Sequence, residues 1–332
     1  MPQHQSPDHP EQLAARLPFL RRRGRLAAAS RAFFDARGYT EVETACAVPT
    51  PGEEVHLRPF RTVLERPDGE TATRFLHTSP EFAMKRLLAA GAGPVFQLAR
   101  VWRNGEAGPL HAPEFTMLEW YAPGATLETL MDETEAYLRA VLPPVLTSRG
   151  ITTGLHRFER LSMAEAFRRW VGADVLGTAG DAPALAVQAG VGLRDGEDWE
   201  DLFFRLLLDR VEPHLGRDTP TFLTHWPAAQ AALARRDPAD PRAALRFELF
   251  ACGLELANAF EELTDPAEQR ARFVADRARR HALGGPDWPM DEAFLATLPR
   301  MPPCAGIALG FDRLAMLASG ADRISQVLWL PE

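Results

Sequence analysis

The apolar residues of RLAAASRAFFDARGY recur at helical spacing over residues 25–39 and run into Gly38, a helix-stopping position, so the spacing predicts a first helix. A short β-type segment, TEVET, follows at 40–44. Residues 80–90 read as a second helix, with Ser79 as N-cap and Pro80 in the first position. VFQLARVWRN (95–104) and EFTMLEWY (114–121) read as two strands joined by the polar loop GEAGPLHAP. From about 126 to 245 the pattern is α-rich and broken by Pro and Gly clusters. Strand patterns return at 246–260 and 305–310, the last feeding straight into a helix from about Phe311. The polar, proline-rich start predicts a disordered tail over residues 1–12, and no Ser/Gly linker divides the rest, so 13–332 reads as one domain. Local hairpins set apart from blocks of helix predict an α+β fold, an antiparallel sheet flanked by helices, rather than a βαβ repeat.

Alternation along EFTMLEWY puts Phe115, Met117, Glu119 and Tyr121 on one face. A carboxylate among aromatics there is either a buried, hydrogen-bonded structural group or a receptor for a cationic ligand. The preceding strand ends Trp102-Arg103-Asn104, which places Arg103 beside that face, and the loop between carries His111. A guanidinium for phosphate and a ring for a base make a nucleotide cradle. In FELFACGLELANAFEELTD, Glu248 and Glu255 flank ACG, which reads as a tight turn. Facing each other across that hairpin they would suit Mg²⁺, or stand as solvated edge carboxylates. GIALGFDRL is a glycine-bordered strand entering a helix whose first turn carries Arg313, an arrangement that favours an anion.

Composition narrows the chemistry. Of 37 Lys plus Arg residues a single one, Lys85, is lysine, and its surroundings, TSPEFAMKRLL, contain no Walker-type phosphate loop. Any nucleotide is therefore held by arginine. Four residues after Glu81, Lys85 reads as an ordinary helix-surface partner, worth roughly 0.3–0.5 kcal/mol. The net charge of −8 speaks against a general nucleic-acid binder, although Arg16 and Arg21–Arg25 cluster locally, as a solvated helix entry or a partner site. Three dispersed cysteines, Cys46, Cys252 and Cys304, point to neither a disulfide framework nor a zinc site, and the reducing cytoplasm is the expected compartment. Neither an export signal nor a membrane span is expected.

Taken in order, RAFFDARGYTEVET, VFQLARVWRN with HAPEFTMLEWY, and GIALGFDRL resemble motifs 1, 2 and 3 of class II aminoacyl-tRNA synthetases. TSPEFAMKRL, PTFLTHWPAAQAALA and ELANAFEELTD are similar to the lysyl branch, and most closely to the free-standing ligases that modify elongation factor P. The likeness runs from about Arg16 to Leu330 and implies the class II catalytic core, with a helical insertion between motifs 2 and 3. Lysyl-tRNA synthetases carry an N-terminal anticodon-binding domain ahead of motif 1, for which residues 1–24 leave no room, so stable tRNA binding is not expected. The resemblance implies that ATP activates lysine or (R)-β-lysine, which is then attached to a lysine side chain of elongation factor P.

Residue by residue, it gives Arg103 to the substrate carboxylate and the ATP α-phosphate, Phe115 to adenine and Arg313 to the γ-phosphate, with His111 nearby. Asn104 and Glu106 belong to the ATP-binding loop, and Glu248 and Glu255 would coordinate Mg²⁺. Glu119, Tyr121 and Glu262 would enclose the side-chain ammonium, while Glu81 and Asn258 address the amino end. The chain departs from the family pattern at Ala45, where motif 1 has proline, at Gly105, which shifts the adenine-contacting carboxylate to Glu106, and at Ala112. Ala308 matches the elongation factor P ligases and would reshape the amino-acid pocket. A homodimer through motif 1 is the expected assembly. The alternatives are an adenylating enzyme that charges tRNA or a small acceptor, and a catalytically silent paralogue with a binding role.

Overall fold

The computed structural model describes residues 10–230 and 233–330. The described residues form two compact units, one drawn from 10–124, 140–142 and 264–330, the other from 125–139, 143–230 and 233–263. The first begins with α1 (Pro10–Asp35), β1 (Thr40–Glu41), β2 (Ala47–Val48), β3 (Arg61–Glu65) and β4 (Thr71–Leu76). It continues through α2 (Glu81–Ala89), β5 (Val95–Trp102) and β6 (Glu114–Pro123). The second holds most of α3 (Leu127–Val141), then β7 (Val145–Ser148), β8 (Ile151–Gly154) and β9 (Glu159–Ser162). Next come α4 (Met163–Trp170), α5 (Ala182–Ala189), α6 (Trp199–Leu206), β10 (Thr221–Pro227), β11 (Ala243–Ala251) and β12 (Leu254–Glu261). The chain returns to the first unit with α7 (Pro266–Ala282), α8 (Glu292–Thr297), β13 (Cys304–Gly310) and α9 (Phe311–Ser319).

In the first unit the strand order is β1-β5-β6-β13, and β2-β4-β3 form a small separate sheet. In the second the order is β12-β11-β10-β9. The fold is α+β as expected, but the antiparallel character gives way at two pairs, since β1 runs parallel to β5 and β9 parallel to β10. Strand β10 lies inside the stretch that reads as α-rich. Six of the seven side chains in TFLTHWP are buried, so the segment lacks the polar alternation that marks a half-exposed strand. The expected insertion is nevertheless there: α4–α6 build their own core, in which Phe167 stacks on Phe203 at 5.4 Å and Trp199 on Phe203 at 5.2 Å.

Other boundaries shift slightly. Residues 1–9 of the expected tail lie outside the described residues, and 10–12 already belong to α1. Only Thr40–Glu41 of TEVET pairs as strand. Helix α2 starts at Glu81, one residue later than expected, with Pro80 in the cap position.

One face of the first-unit sheet is covered by α1. Phe34 stacks on Phe96 at 4.8 Å and meets Trp120 at 5.1 Å, all three rings being buried. Each such ring contributes about 1.5–3 kcal/mol on removal from water. The arginine cluster completes this packing. Arg16 donates to the carbonyls of Ser325 and Leu328, and Arg22 to that of Ala318, so these members tie α1 to the C-terminal segment. Arg23 pairs with Asp312 at 2.9 Å and donates to Thr116 Oγ1 at 2.7 Å, while Asp312 accepts the Thr116 backbone N–H at 2.6 Å. The first turn of α9 is thereby fixed against β6. The opposite face buries Ala99, Val101 and Met117, with Phe115 and Ala308 packed beside them, and this face carries the candidate site.

Candidate active site

On that face the register sets Gln97 and Ala308 on either side of Glu119, and Val95 and Gly306 on either side of Tyr121. Glycine and alanine on β13 set no large side chain beside Glu119 and Tyr121 from that strand. Glu119 is fully buried; it accepts the Ser79 hydroxyl at 2.7 Å and the Tyr121 hydroxyl at 3.0 Å. Burial pushes its carboxyl up to about 8, and the charge of Glu81 adds to the push, against the two hydroxyls and Lys85. Ser79 also accepts the Glu81 backbone N–H at 3.0 Å, so one hydroxyl supports both α2 and the carboxylate. Glu81 pairs with Lys85 at 2.5 Å. The expectation of a surface pair is wrong here, for Lys85 is only 1% exposed. Its stem is packed within the unit, and its ammonium is the fixed counter-charge of the carboxylates around it.

The nucleotide residues also gather. The Arg103 guanidinium lies 5.2 Å from the Phe115 ring centre and 3.8 Å from Glu106. Its Nε is buried and makes no hydrogen bond among the described residues, a donor left over for an anion. Asn104 is exposed in the same loop. Across 202 positions of sequence, Arg313 and His111 meet at 2.6 Å.

In the second unit the tight turn is Cys252-Gly253, both at positive φ, as a two-residue hairpin requires. The carboxylates do not oppose each other directly. Glu248 faces Asn258, and Glu255 faces Phe250. The register shifts between these pairs, so Leu256 is an extra residue on β12, and the bulge brings Glu255 to the side of Glu248. Glu248 pairs with Arg246 at 2.7 Å, and Arg246 also donates to Asn258 Oδ1 at 3.1 Å. Burial first, then the Glu255 charge, pushes the Glu248 carboxyl up to about 8, against Arg246. Two repelling carboxylates, one of them buried, form a donor set that a hard divalent cation relieves, and Mg²⁺ takes its remaining oxygens from phosphates. The residues present therefore fit the ion. Glu262 is buried beyond β12, its backbone bridged to Ala234.

Sequence reasoning missed two residues of the first unit. His77 is buried and its Nε2–H donates to the Arg100 carbonyl at 2.7 Å; burial holds its pKa below the usual histidine value. Glu54 lines a cavity of about 290 Å³ with His77, Ser79 and Glu81. Nothing in PTPGEEVHL distinguishes it from a solvated loop acid, because its neighbours come from distant segments.

The chain is also similar to known proteins. A family described as tRNA synthetases class II (D, K and N) matches residues 15–332. A Klebsiella pneumoniae subsp. pneumoniae protein named elongation factor P--(R)-beta-lysine ligase is 44% identical over 323 residues, 96% of each chain. Proteins of the same name from Proteus mirabilis and Salmonella arizonae are each 43% identical, covering 96% of this chain and 97% and 96% of theirs. No helix among the described residues is long and apolar enough to cross a membrane. With the three motif segments on β1, β5–β6 and β13–α9, and the match running through nearly the whole sequence, the chain belongs to the class II tRNA synthetases of the D, K and N group.

Proposed function

We propose that this protein is an ATP-dependent ligase that activates lysine or (R)-β-lysine as an aminoacyl-adenylate and transfers it to a lysine side chain of elongation factor P. The observation that carries the reading is Glu119, a fully buried carboxylate held by two hydroxyls rather than a guanidinium. Such a group is completed by a ligand ammonium, and a neutral side chain would leave it buried and unpaired. The named relatives, similar over 96% of the chain, supply the acceptor.

In this mechanism Arg103 holds the substrate carboxylate against the α-phosphate, and Phe115 stacks on adenine. Arg313, with His111 against it, holds the γ-phosphate. A carboxylate oxygen attacks the α-phosphorus in line, and the bond to the pyrophosphate oxygen breaks. The neutral acceptor amine then attacks the acyl carbon, and AMP leaves. Positioning and charge neutralisation carry the first step, without a general base. Glu248 and Glu255 would hold Mg²⁺, whose charge offsets that of the phosphates. Glu119 and Tyr121, with Glu262, receive the side-chain ammonium, and Glu81 and Asn258 the amino end. The proposal includes a cytoplasmic homodimer that makes no stable tRNA complex.

The test is pyrophosphate exchange with lysine and with (R)-β-lysine, followed by transfer to elongation factor P or to tRNA. Exchange and labelling of the factor are expected. No exchange with either amino acid would mean a catalytically silent paralogue; labelling of tRNA alone would move the acceptor.

A further inference from the structure

Residues 50–53 are anchored one after another from outside their own loop. Thr50 Oγ1 donates to the Pro289 carbonyl at 3.1 Å, and Thr78 Oγ1 to that of Pro51 at 3.1 Å. Trp288 Nε1 donates to the Gly52 carbonyl at 2.7 Å, and Arg280 to that of Glu53 at 3.2 Å. Arg280 is itself buried, stacked 3.8 Å from the Trp288 ring and paired with the Glu53 carboxylate at 3.3 Å. Four successive tethers make this a rigid segment rather than an adaptable loop.

What the tethers position is Glu54. Gly52 sits at φ +144°, and a Cβ there would collide with Glu54 Oε2, so glycine is what leaves the carboxylate its place. Glu54 lines the cavity of about 290 Å³ beside Ser79 and Glu81. The pocket has a direction. At one end Ser79 reaches Glu119. Four residues after Glu54, the Arg58 carbonyl accepts the Asn104 N–H at 2.7 Å, joining that segment to the residue next to Arg103. Electrostatic neighbours give the same order: Glu119 feels Glu81 and Lys85, whereas Glu54 feels Glu81 and Arg103.

A lysine-type amino acid carries one ammonium at its side-chain end and another near its carboxylate. With Glu119 taking the first and Arg103 the carboxylate, the second falls between Glu81 and Arg103. Lys85 balances one of the three carboxylates, leaving two negative charges for two ammonium groups. We infer that Glu54 binds the ammonium near the substrate's carboxylate, and that Glu54 and Glu119 together select amino acids bearing two ammonium groups. The inference rests on the amino-acid pocket proposed above and adds to it a residue that reads the amine position.

The test is calorimetric binding of lysine, (R)-β-lysine and 6-aminohexanoate, which lacks the second amine, to the wild-type protein and to Glu54→Gln. The isosteric amide removes a buried charge and is expected to fold. Its Kd for lysine and (R)-β-lysine should rise at least about tenfold, one charge-assisted contact being lost. Its Kd for 6-aminohexanoate should stay within about twofold. Unchanged lysine binding, or a parallel loss for 6-aminohexanoate, overturns the inference. Glu54→Asp keeps the charge but draws it back, so its affinity for lysine should fall between the other two; affinity no better than that of Glu54→Gln would show that charge is not what is read. Binding is read without turnover, so these failures are distinct from failure of the functional proposal, which appears as absent pyrophosphate exchange in the wild-type protein.

Discussion

Glu119 in the first unit and Glu248 in the second are both buried glutamates pushed up to about 8 mainly by loss of water, yet they are compensated differently. Glu119 has two hydroxyl dipoles, and Lys85, the cation whose charge acts on it, is paired with Glu81. Glu248 has a guanidinium in direct contact and a second carboxylate close by. Dipoles stabilise a charge without cancelling it, so Glu119 keeps its demand for a single organic cation. A fixed guanidinium cancels one charge of the Glu248–Glu255 pair, and a monovalent ligand gains little there; a divalent ion bridging to phosphate gains more. In the proposed function, equal acidity thus serves different ligand classes, and the neighbours rather than the shifted value set them apart.

Breaking the first arrangement should have the largest effect. Glu119→Ala removes the carboxylate that the ammonium needs and should lower lysine-dependent exchange by about 10³–10⁴-fold in kcat/KM, with the KM for ATP little changed. Lys85→Met leaves Glu81 without its buried partner and should reduce stability by about 3 kcal/mol in urea unfolding. Loss below 0.5 kcal/mol would return the pair to the surface class. Glu248→Gln should fold normally, because a like charge is removed, but should lower exchange by about 10²-fold and raise the Mg²⁺ concentration needed for half-maximal rate.

The smallest effect is graded with pH. An ammonium binds the ionised Glu119, so lysine affinity should rise by up to about tenfold per unit between pH 6 and 8 and level off above, and Glu119→Gln should abolish the slope. Stability runs the other way. A carboxyl whose folded pKa is raised to about 8 contributes stability that is full below its ordinary value near 4.5 and is lost as pH rises through 8. The ligand-free melting temperature should therefore fall across that window, and saturating lysine should reduce the fall.

Much of this was legible in the sequence where one segment carries its own pattern. EFTMLEWY reads as a strand, and the face that side-chain geometry gives to Glu119 and Tyr121 is the one on which they lie. The strand-to-helix transition at Phe311 was legible because glycine borders it. TFLTHWP was not, since a strand buried on both sides loses its alternation, and neither was the burial of Lys85, which depends on what packs over an ordinary i,i+4 pair. Glu54 was invisible for a related reason: its place is set by Thr78, Arg280, Trp288 and Pro289, distant in the chain, and one-dimensional spacing carries no record of them. Chemistry that resides in a motif could be read, whereas chemistry assembled by tethering could not.

The bulge at Leu256 makes the carboxylate pair depend on chain length as much as on residue identity. Were β12 paired regularly with Leu256 kept, Glu255 would stand opposite Ala251 and point to the other side from Glu248; the bulge absorbs the extra residue and prevents this. A substitution there that keeps an apolar side chain changes only local packing. The meeting of the two carboxylates therefore rests on where the bulge falls, and the phase of the strand is a property that the two glutamates alone do not guarantee.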